Sequence, residues 1–396
     1  MAIVVQKYGG SSVATTEKIG EVADKIVAAK RRGDDVVVVV SAMGKTTDQL
    51  IAQAKAVASE PPRRELDMLV STGERVSMAL LSIAIQARGV SAISFTGSQS
   101  GIITSDRHFD ARIIEVRPHR VEDELARGKV VIVAGYQGMS YKREITTLGR
   151  GGSDTTAVAM AAALGAERCE IYSDVDGVYT ADPRVVPDAQ HLPELDLAGL
   201  QEMAEAGAKV LNAQAVEWAR KAKITIAARR TQDPVDAQGN PARQTLAHEG
   251  ATTRARGVVG TDRVVKVEFS AADRHAVVQV CGELELPVFD FMLGDATGQF
   301  FLPLANVPDW EQAQARLSKA CATDGFRVRG GCGLVSVVGD GLGPRVGQFL
   351  ALLESNGVEV RGVTGGPLRL SAAVVSGEGG DKLALAQRVL HAAFVT

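Results

Sequence analysis

Two glycine-rich segments of this sequence could bring backbone amides and charged side chains up to an anionic ligand. The first, KYGGSSVA at residues 7–14, follows an apolar run and precedes a helical pattern, so glycine amides, a helix N-terminus and Lys7 could hold a phosphate. The second, TTLGRGGSDTTAVAMAAAL at residues 146–164, presents Arg150 on a glycine loop, where a guanidinium suits bidentate capture of a carboxylate. Each also fits a plainer role, a tight turn in the first segment and a helix N-cap in the second.

Three further segments carry polar residues in loops or helical patterns. SDVDGVYTADPR at residues 173–184 holds three aspartates and Arg184, which could bind Mg²⁺ or a nucleotide, or could only cap turns. Glu74 could face a substrate amine or only solvent. SAMGKTTD at residues 41–48 is similar to a nucleotide P-loop, but Val39 stands where the first glycine is required. The six histidines show neither metal-ligand spacing nor a partnered nucleophile, so we expect neither a histidine metal centre nor histidine-based catalysis.

The elements that must position these residues alternate along the first part of the chain. Short β-branched runs such as VVVVV at residues 36–40 alternate with helical patterns, which is typical of an α/β layered sandwich around a mainly parallel sheet. Thr15 or Thr16 is predicted to cap a helix that Gly33 ends, and a longer helix is predicted near residues 64–87. The carboxyl ends of parallel strands line the ligand crevice, so the polar loops should meet there.

The composition changes after this α/β region. Residues 231–260 are rich in Pro, Gly, Asn, Gln and charged residues, which predicts a linker after a domain at residues 1–230. Two successive sets of strand and helix patterns follow. They predict tandem ferredoxin-like βαββαβ modules at residues 261–330 and 331–396.

Composition and charge exclude several classes of protein. The 396 residues include 44 Lys and Arg against 47 Asp and Glu, and this balance argues against a nucleic-acid partner or a basic membrane-binding surface. No apolar run approaches the ~20 residues of a membrane span, and the N-terminus lacks a signal-peptide pattern. The four cysteines have no paired spacing, so neither a disulfide framework nor a zinc site is indicated. We therefore expect a cytoplasmic protein.

Seven segments, in order and with their spacings, resemble the aspartokinase branch of the amino-acid kinase family. They are KYGGSS, VVVVVSAMGKTTD, STGE, SFTGSQSGI, AGYQG, TTLGRGGSDTTAVA and IYSDVDGVYTADPRVVP, and they cover roughly residues 1–230. The resemblance, which is strongest to single-activity bacterial enzymes, implies a three-layer αβα sandwich that binds ATP, Mg²⁺ and L-aspartate. It also implies phosphorylation of the aspartate β-carboxylate, the first step of lysine, threonine and methionine synthesis.

The same resemblance implies a role for each matching residue. The nucleotide phosphates are assigned to Lys7, Gly9, Gly10 and Ser11. The nucleotide-side loop is assigned to Ser173, Asp174, Tyr179, Asp182 and Arg184. Aspartate is assigned to Ser41, Thr47, Glu74 and Arg150, with pocket closure by Gly152, Ser153 and Asp154. Arg150 would hold the α-carboxylate and Glu74 the amine, while Asp154 would orient Lys7. Lys209 matches a lysine that reaches the phosphates, although Asn212-Ala213 stand where relatives have His-Pro.

The resemblance extends less completely into the second half of the chain. In that family two ACT modules follow the kinase domain, bind lysine or threonine and mediate dimerisation, so a homodimer is expected. Residues 331–396 are similar to the second module, but the first module departs at its turn, Ser270 to Asp273, and at its strand end, Phe291 to Gly294. We therefore expect feedback by lysine or threonine to be lost or altered. Two alternative functions remain, a sister kinase with another amino-acid substrate and a catalytically inactive amino-acid sensor.

Overall fold

The protein, seen in a computed structural model, is described at residues 2–149, 151–208, 211–251, 256–307 and 309–395. It consists of two compact units. The first contains residues 1–178, 191–204 and 209–253, and the second contains residues 179–190, 205–208 and 254–396.

The first unit is built on a mainly parallel sheet with helices on its faces. Its strands are β1 (Ile3–Tyr8), β2 (Asp35–Val40), β3 (Ala92–Phe95), β4 (Ile102–Thr104), β5 (Ile113–Val116), β6 (Val130–Ala134), β7 (Gln137–Ser140), β8 (Ile145–Thr147), β9 (Arg168–Ser173), β10 (Val178–Tyr179), β11 (His191–Leu192), β12 (Glu194–Asp196), β13 (Thr225–Arg230) and β14 (Thr245–His248). Its helices are α1 (Thr16–Arg31), α2 (Thr46–Val57), α3 (Arg63–Val70), α4 (Thr72–Gln86), α5 (His119–Ala126), α6 (Gly152–Ala163), α7 (Leu197–Glu205) and α8 (Ala213–Ala222).

The main sheet has eight strands in the order β12-β14-β13-β9-β1-β2-β6-β3. Every pair from β13 to β3 is parallel, and β14 runs antiparallel to β13. The run Val36–Val40 is fully buried because α1 and α4 pack against one face of β2, while α6 packs against β1, β2 and β9. The predicted α/β class is therefore confirmed.

The first helix forms as its sequence predicts. The Thr15 hydroxyl accepts a hydrogen bond from the Lys18 amide at 3.3 Å, which satisfies one free N–H of the first turn. Ile19, Val22 and Ile26 then lie on one buried stripe against the sheet. Gly33 follows the helix with φ of 103°, a conformation that favours glycine.

The long helix predicted near residues 64–87 is two helices, α3 and α4, which meet at Ser71. Together they form the segment Arg63–Gln86, which by length and composition alone could cross a membrane, and half of which is buried. The α4 part packs against α1, β3 and β6, and its Leu81 and Ile85 lie in the hydrophobic core. This is the packing of a core helix.

A fully buried ion pair ties the centre of the sheet together. Arg229 on β13 donates to Glu170 on β9 at 2.7 Å, and Gln6 on β1 donates to the other carboxylate oxygen at 2.8 Å. Tyr172 also donates to Glu170, at 3.1 Å, and Arg229 donates to Gln244 at 2.7 Å. Because each buried charge has several partners, the cost of removing it from water is offset, and three strands are held in register.

The second unit is an antiparallel sheet with four helices. Its elements are β15 (Gly257–Ser270), α9 (Arg274–Glu283), β16 (Phe289–Leu293), β17 (Thr297–Pro303), α10 (Trp310–Ala320), β18 (Arg327–Val338), α11 (Val346–Ser355), β19 (Val360–Gly365), β20 (Arg369–Val375) and α12 (Asp381–Phe394). The strand order is β16-β17-β15-β18-β20-β19. Val277 and Leu317, from α9 and α10, lie in one hydrophobic core, and Phe349 and Leu390, from α11 and α12, lie in another. This arrangement is consistent with two ACT-like modules.

The structure groups residues differently from the boundaries proposed from sequence. Within the predicted linker, β14 belongs to the sheet of the first unit, and β15 begins at Gly257. The first residues of β15 pair with the end of β18, and Val258 lies in the core formed with α11 and α12. The second module therefore takes a strand from before residue 261. Residues 179–190 and 205–208, predicted in the first domain, group with the second unit. Composition predicts where a loop lies. It does not predict which unit the flanking strands join, because that depends on contacts between residues far apart in the sequence.

Candidate active site

An ion pair joins the carboxyl end of β1 to the first turn of α6. Lys7 Nζ lies 2.6 Å from Asp154 Oδ1, and the two side chains are only 10% and 12% exposed. Asp154 lies there because α6 starts at Gly152, directly after Gly151, which has φ of 70°. The first turn of a helix favours a carboxylate, so both the lysine and the helix dipole stabilise the Asp154 charge.

Two serines connect this pair to the end of β2. The hydroxyls of Ser41 and Ser153 are hydrogen-bonded at 2.8 Å, and Ser77 on α4 donates to the Ser41 carbonyl at 2.8 Å. Gly135 permits this approach, because a Cβ at that position would lie 2.8 Å from the Ser153 Cβ. Ser77 was not among the residues predicted from sequence, although it lies one helical turn after Glu74.

Glu74 brings a buried carboxylate to the same place. It is 3% exposed, and its Oε1 accepts a hydrogen bond from the Ala42 amide at 3.1 Å. Among the described residues its Oε2 has no hydrogen-bond partner. Burial raises the pKa of Glu74 to about 7, although the bond from Ala42 opposes the shift. The side chain is therefore suited to receive a cationic group.

The KYGGSS loop is built by close backbone approach. The Gly9 amide donates to the Tyr172 carbonyl at 3.2 Å, so it is used by the neighbouring strand β9. A Cβ on Gly10 would lie 2.9 Å from the Ala42 carbonyl oxygen and 3.2 Å from that of Gly44. Lys18 Nζ donates to the carbonyl of Ser11, whose side chain is exposed. The loop thus packs directly on the loop that follows β2.

The residues predicted to bind the nucleotide do not all lie on one element. Ser173 ends β9, and its hydroxyl accepts from the Val175 amide at 3.2 Å, while Asp174 is exposed. Two residues that sequence patterns did not single out lie beside Ser173. Ser12 and Thr231 are hydrogen-bonded at 2.6 Å, and Thr231 donates to the Ser173 carbonyl at 3.1 Å.

The other predicted residues belong to other elements or lie outside the described residues. Tyr179, Asp182 and Arg184 lie in the second unit, where the Asp182 carboxylate pairs with Arg184 at 2.7 Å. Thr47 lies in the first turn of α2 and is half-buried. Arg150 and Lys209 lie outside the described residues.

Asn212, the departure from the common pattern noted in the sequence, has a local role in the structure. Its side chain accepts from the Gln214 amide at 2.8 Å and so caps α8. The same oxygen accepts from Thr155 on α6 at 3.3 Å. Asn212 therefore caps α8 and lies against Gly151 of the glycine loop.

The grouped residues form a small polar site at the carboxyl ends of the central strands β1 and β2. It contains a lysine, two hydroxyls and two carboxylates, Lys7, Ser41, Ser153, Glu74 and Asp154. Among the described residues no group of three or more His, Cys, Asp or Glu side chains is arranged to hold a metal ion. The site can bind a charged substrate through one cation and one carboxylate.

Comparison with known proteins identifies the class of protein that carries this site. The amino acid kinase family matches residues 2–227. An aspartokinase of Corynebacterium glutamicum is 42% identical over 424 aligned positions, covering 100% of this chain and 96% of that protein. An aspartokinase of Bacillus sp. strain MGA3 is 37% identical over 412 positions, covering 100% of this chain and 97% of that protein. The crystal structure of Escherichia coli aspartokinase III in complex with aspartate and ADP matches with a TM-score of 0.85 at 25% identity, covering 100% of both chains. The chain belongs to the amino acid kinase family and, within it, to the aspartokinases.

We expect Gly10→Ala to destabilise the first unit. The new Cβ would press against two backbone carbonyls, which cannot rotate away, so the free energy of unfolding should fall by about 1–3 kcal/mol. Urea denaturation followed by circular dichroism measures this. Gly20→Ala is the matched control, because its Cβ would meet only the end of the Arg88 side chain at 3.4 Å. A Gly10→Ala variant as stable as wild type would contradict the close packing of the two loops.

Proposed function

We propose that this protein transfers the γ-phosphoryl group of ATP to the β-carboxylate of L-aspartate, giving 4-phospho-L-aspartate and ADP. The observation that carries the proposal is the buried Lys7–Asp154 pair beside Glu74, at the carboxyl ends of β1 and β2. This cluster lies within the residues that match the amino acid kinase family. We place the reaction in the cytoplasm, as the first step of lysine, threonine and methionine synthesis.

The chemistry fits a site without a general base. A β-carboxylate is already ionised at neutral pH and needs no proton removed before it attacks the γ-phosphorus. The enzyme must instead position the two substrates and neutralise charge on the moving phosphoryl group. Lys7, held by Asp154, supplies a fixed positive charge, and we assign Lys209 the same task.

Aspartate would be held at both of its other charged groups. The free Oε2 of Glu74 would accept a hydrogen bond from the substrate ammonium. Arg150 would bind the α-carboxylate through two of its guanidinium nitrogens. Ser41 and Ser153, already hydrogen-bonded to each other, would complete the pocket with Thr47 and Gly152. Recognition of the amine and the α-carboxylate leaves the β-carboxylate to react.

The remaining assigned residues would bind the nucleotide. We assign Gly9, Gly10 and Ser11 to the phosphates, and Ser173, Asp174, Tyr179, Asp182 and Arg184 to the rest of ATP. Mg²⁺ is usually held by one or two carboxylates together with substrate phosphates, and exposed Asp174 fits such a partial set of ligands. When bound with ATP, the ion would neutralise phosphate charge.

Trapping the acyl phosphate with hydroxylamine tests the proposal. Wild-type protein with ATP should form hydroxamate from aspartate and not from a panel of other amino acids. In Lys7→Ala the rate should fall by about 10²- to 10³-fold, because a fixed cation at the phosphoryl group is lost.

Lys55→Ala is the matched control, since Lys55 is exposed on α2, and it should keep the wild-type rate. Hydroxamate from another amino acid would instead support a sister kinase. No product from any amino acid would support an inactive sensor.

The raised pKa of Glu74 predicts a pH dependence. Below pH 7 the side chain is protonated and cannot pair with the substrate ammonium, whereas above pH 7 it is a carboxylate. We expect kcat/KM for aspartate to rise by about tenfold between pH 6 and 8 in wild type. In Glu74→Gln the value should be low and nearly constant. The same rise in that variant would assign the titration to another group.

Two contacts in the second unit support the expectation that feedback is lost or altered. The Asp273 carboxylate, at the altered turn, accepts from the Ala322 amide at 3.0 Å and from Thr323 Oγ1 at 2.5 Å. Asp290, next to the altered strand end, accepts from Thr364 at 2.5 Å. Polar groups near the expected effector positions are thus bonded within the unit. We propose that the ACT-like modules serve homodimer assembly and that feedback by lysine or threonine is lost or altered.

Titration of lysine and threonine, singly and together, tests this view of regulation. The rate of hydroxamate formation should show no cooperative inhibition in the millimolar range, because the Asp273 and Asp290 side chains already have partners in the unit. Cooperative inhibition by either amino acid would show that a working effector site is retained.

A further inference from the structure

A buried carboxylate on α3 has no part in the chemistry above. Asp67 is fully buried, and it accepts hydrogen bonds from Thr147 Oγ1 at 2.5 Å, from His108 Nδ1 at 2.8 Å and from the Phe109 amide at 3.1 Å. Burying an ionised carboxylate is costly unless it is paired and hydrogen-bonded, so three donors converging on one side chain indicate a constructed contact. Two of these donors come from the loop between β4 and β5 and the third comes from the last residue of β8, so none belongs to α3 itself.

Two of the three donors lie in the loop that joins β4 to β5. Its residue Phe109 has φ of 73°, a strained conformation for a residue with a side chain. The Phe109 amide and the His108 ring both donate to Asp67, so the carboxylate holds the strained turn. An ionised Asp67 carboxylate can only accept, so its 2.8 Å bond to His108 requires a proton on Nδ1.

The third donor, Thr147, ends β8, and Leu148 and Gly149 follow it immediately before Arg150 in the sequence. Thr147 donates its hydroxyl proton to Asp67, and its carbonyl accepts from the Ala111 amide at 2.8 Å. Gly149 has φ of 71°, and a Cβ there would lie 2.7 Å from Asp110 Oδ1. The β4–β5 loop therefore lies against residues 147–149 at two points.

We propose that Asp67 and His108 are positioning residues. They hold residues 147–149, which immediately precede Arg150 in the sequence, and aspartate binding through Arg150 depends on that hold. The inference rests on the proposed function, in which Arg150 binds the aspartate α-carboxylate. Neither Asp67 nor His108 touches substrate. Their effect passes through Thr147 and through the turn that packs against Gly149.

Steady-state kinetics of four variants test the inference. Asp67→Asn replaces an acceptor oxygen with a donor among three donors, and the KM for aspartate should rise by about tenfold or more, since small misplacements of a binding group are costly. The KM for ATP should stay near the wild-type value. Thr147→Val and His108→Ala each remove one donor, so each should raise the KM for aspartate by a smaller factor. His108→Asn should restore it, because its amide nitrogen takes the place of Nδ1.

Glu124→Gln is the matched control. Glu124 on α5 is also a largely buried, ion-paired carboxylate, 2.6 Å from Lys129. In the part of the chain that is described its ion-pair partners, Arg127 and Lys129, lie outside the β4–β5 loop and outside residues 147–149. The variant should leave both KM values unchanged even if stability falls. A rise in the KM for aspartate equal to that of Asp67→Asn would reduce the Asp67 effect to general destabilisation.

Two outcomes separate this inference from the proposed function. If wild type forms no hydroxamate from aspartate, the proposed function itself fails. If wild type is active and folded Asp67→Asn has an unchanged KM for aspartate, the positioning role is overturned. Where Asp67→Asn does not fold, equal KM values in His108→Ala and His108→Asn overturn it.

Discussion

The site depends on one constraint, that Lys7 and Asp154 can be buried only together. Lys7 lies on the central strand β1, paired in register with Val39 on one side and Ile171 on the other. A lone ammonium among such neighbours would be costly, as would a lone carboxylate in the buried first turn of α6. At 2.6 Å each charge offsets the burial of the other. The start of α6 must therefore lie against the end of β1, and the serines and glycines around the site follow from that contact.

The alanine-rich sequence of α6 is explained by the same contact. Residues Gly152 to Ala161 are all buried, because the helix packs on the sheet and on α8 together. A helix that is apolar or small on every side can be enclosed in this way, whereas an amphipathic helix would expose one face. Small side chains bring its polar first turn close to the strand ends. The glycine loop before α6 is thus joined to one of the most enclosed elements of the unit.

Local sequence signals predicted much of the fold and only part of the site. The cap at Thr15, the stop at Gly33 and the buried run at Val36–Val40 each depend on a few neighbouring residues, and each is confirmed. The break at Ser71 was missed because its backbone stays helical, with φ of −63°, so the apolar spacing continues across it. Ser12 and Thr231 are separated by 219 positions, and no periodicity connects such a pair. The substrate roles of Arg150 and Lys209 stay predictions.

The two long strands of the second unit have a consequence for how this half of the protein could evolve. Because β15 and β18 each run through both modules, the last module obtains one of its strands from a segment that precedes the first module. An exchange of genetic material at residue 331 would transfer a module without that strand and would leave β18 with a bare edge. The two modules must therefore be inherited together. Substitutions that alter one module are therefore selected against the background of a sheet that both modules share.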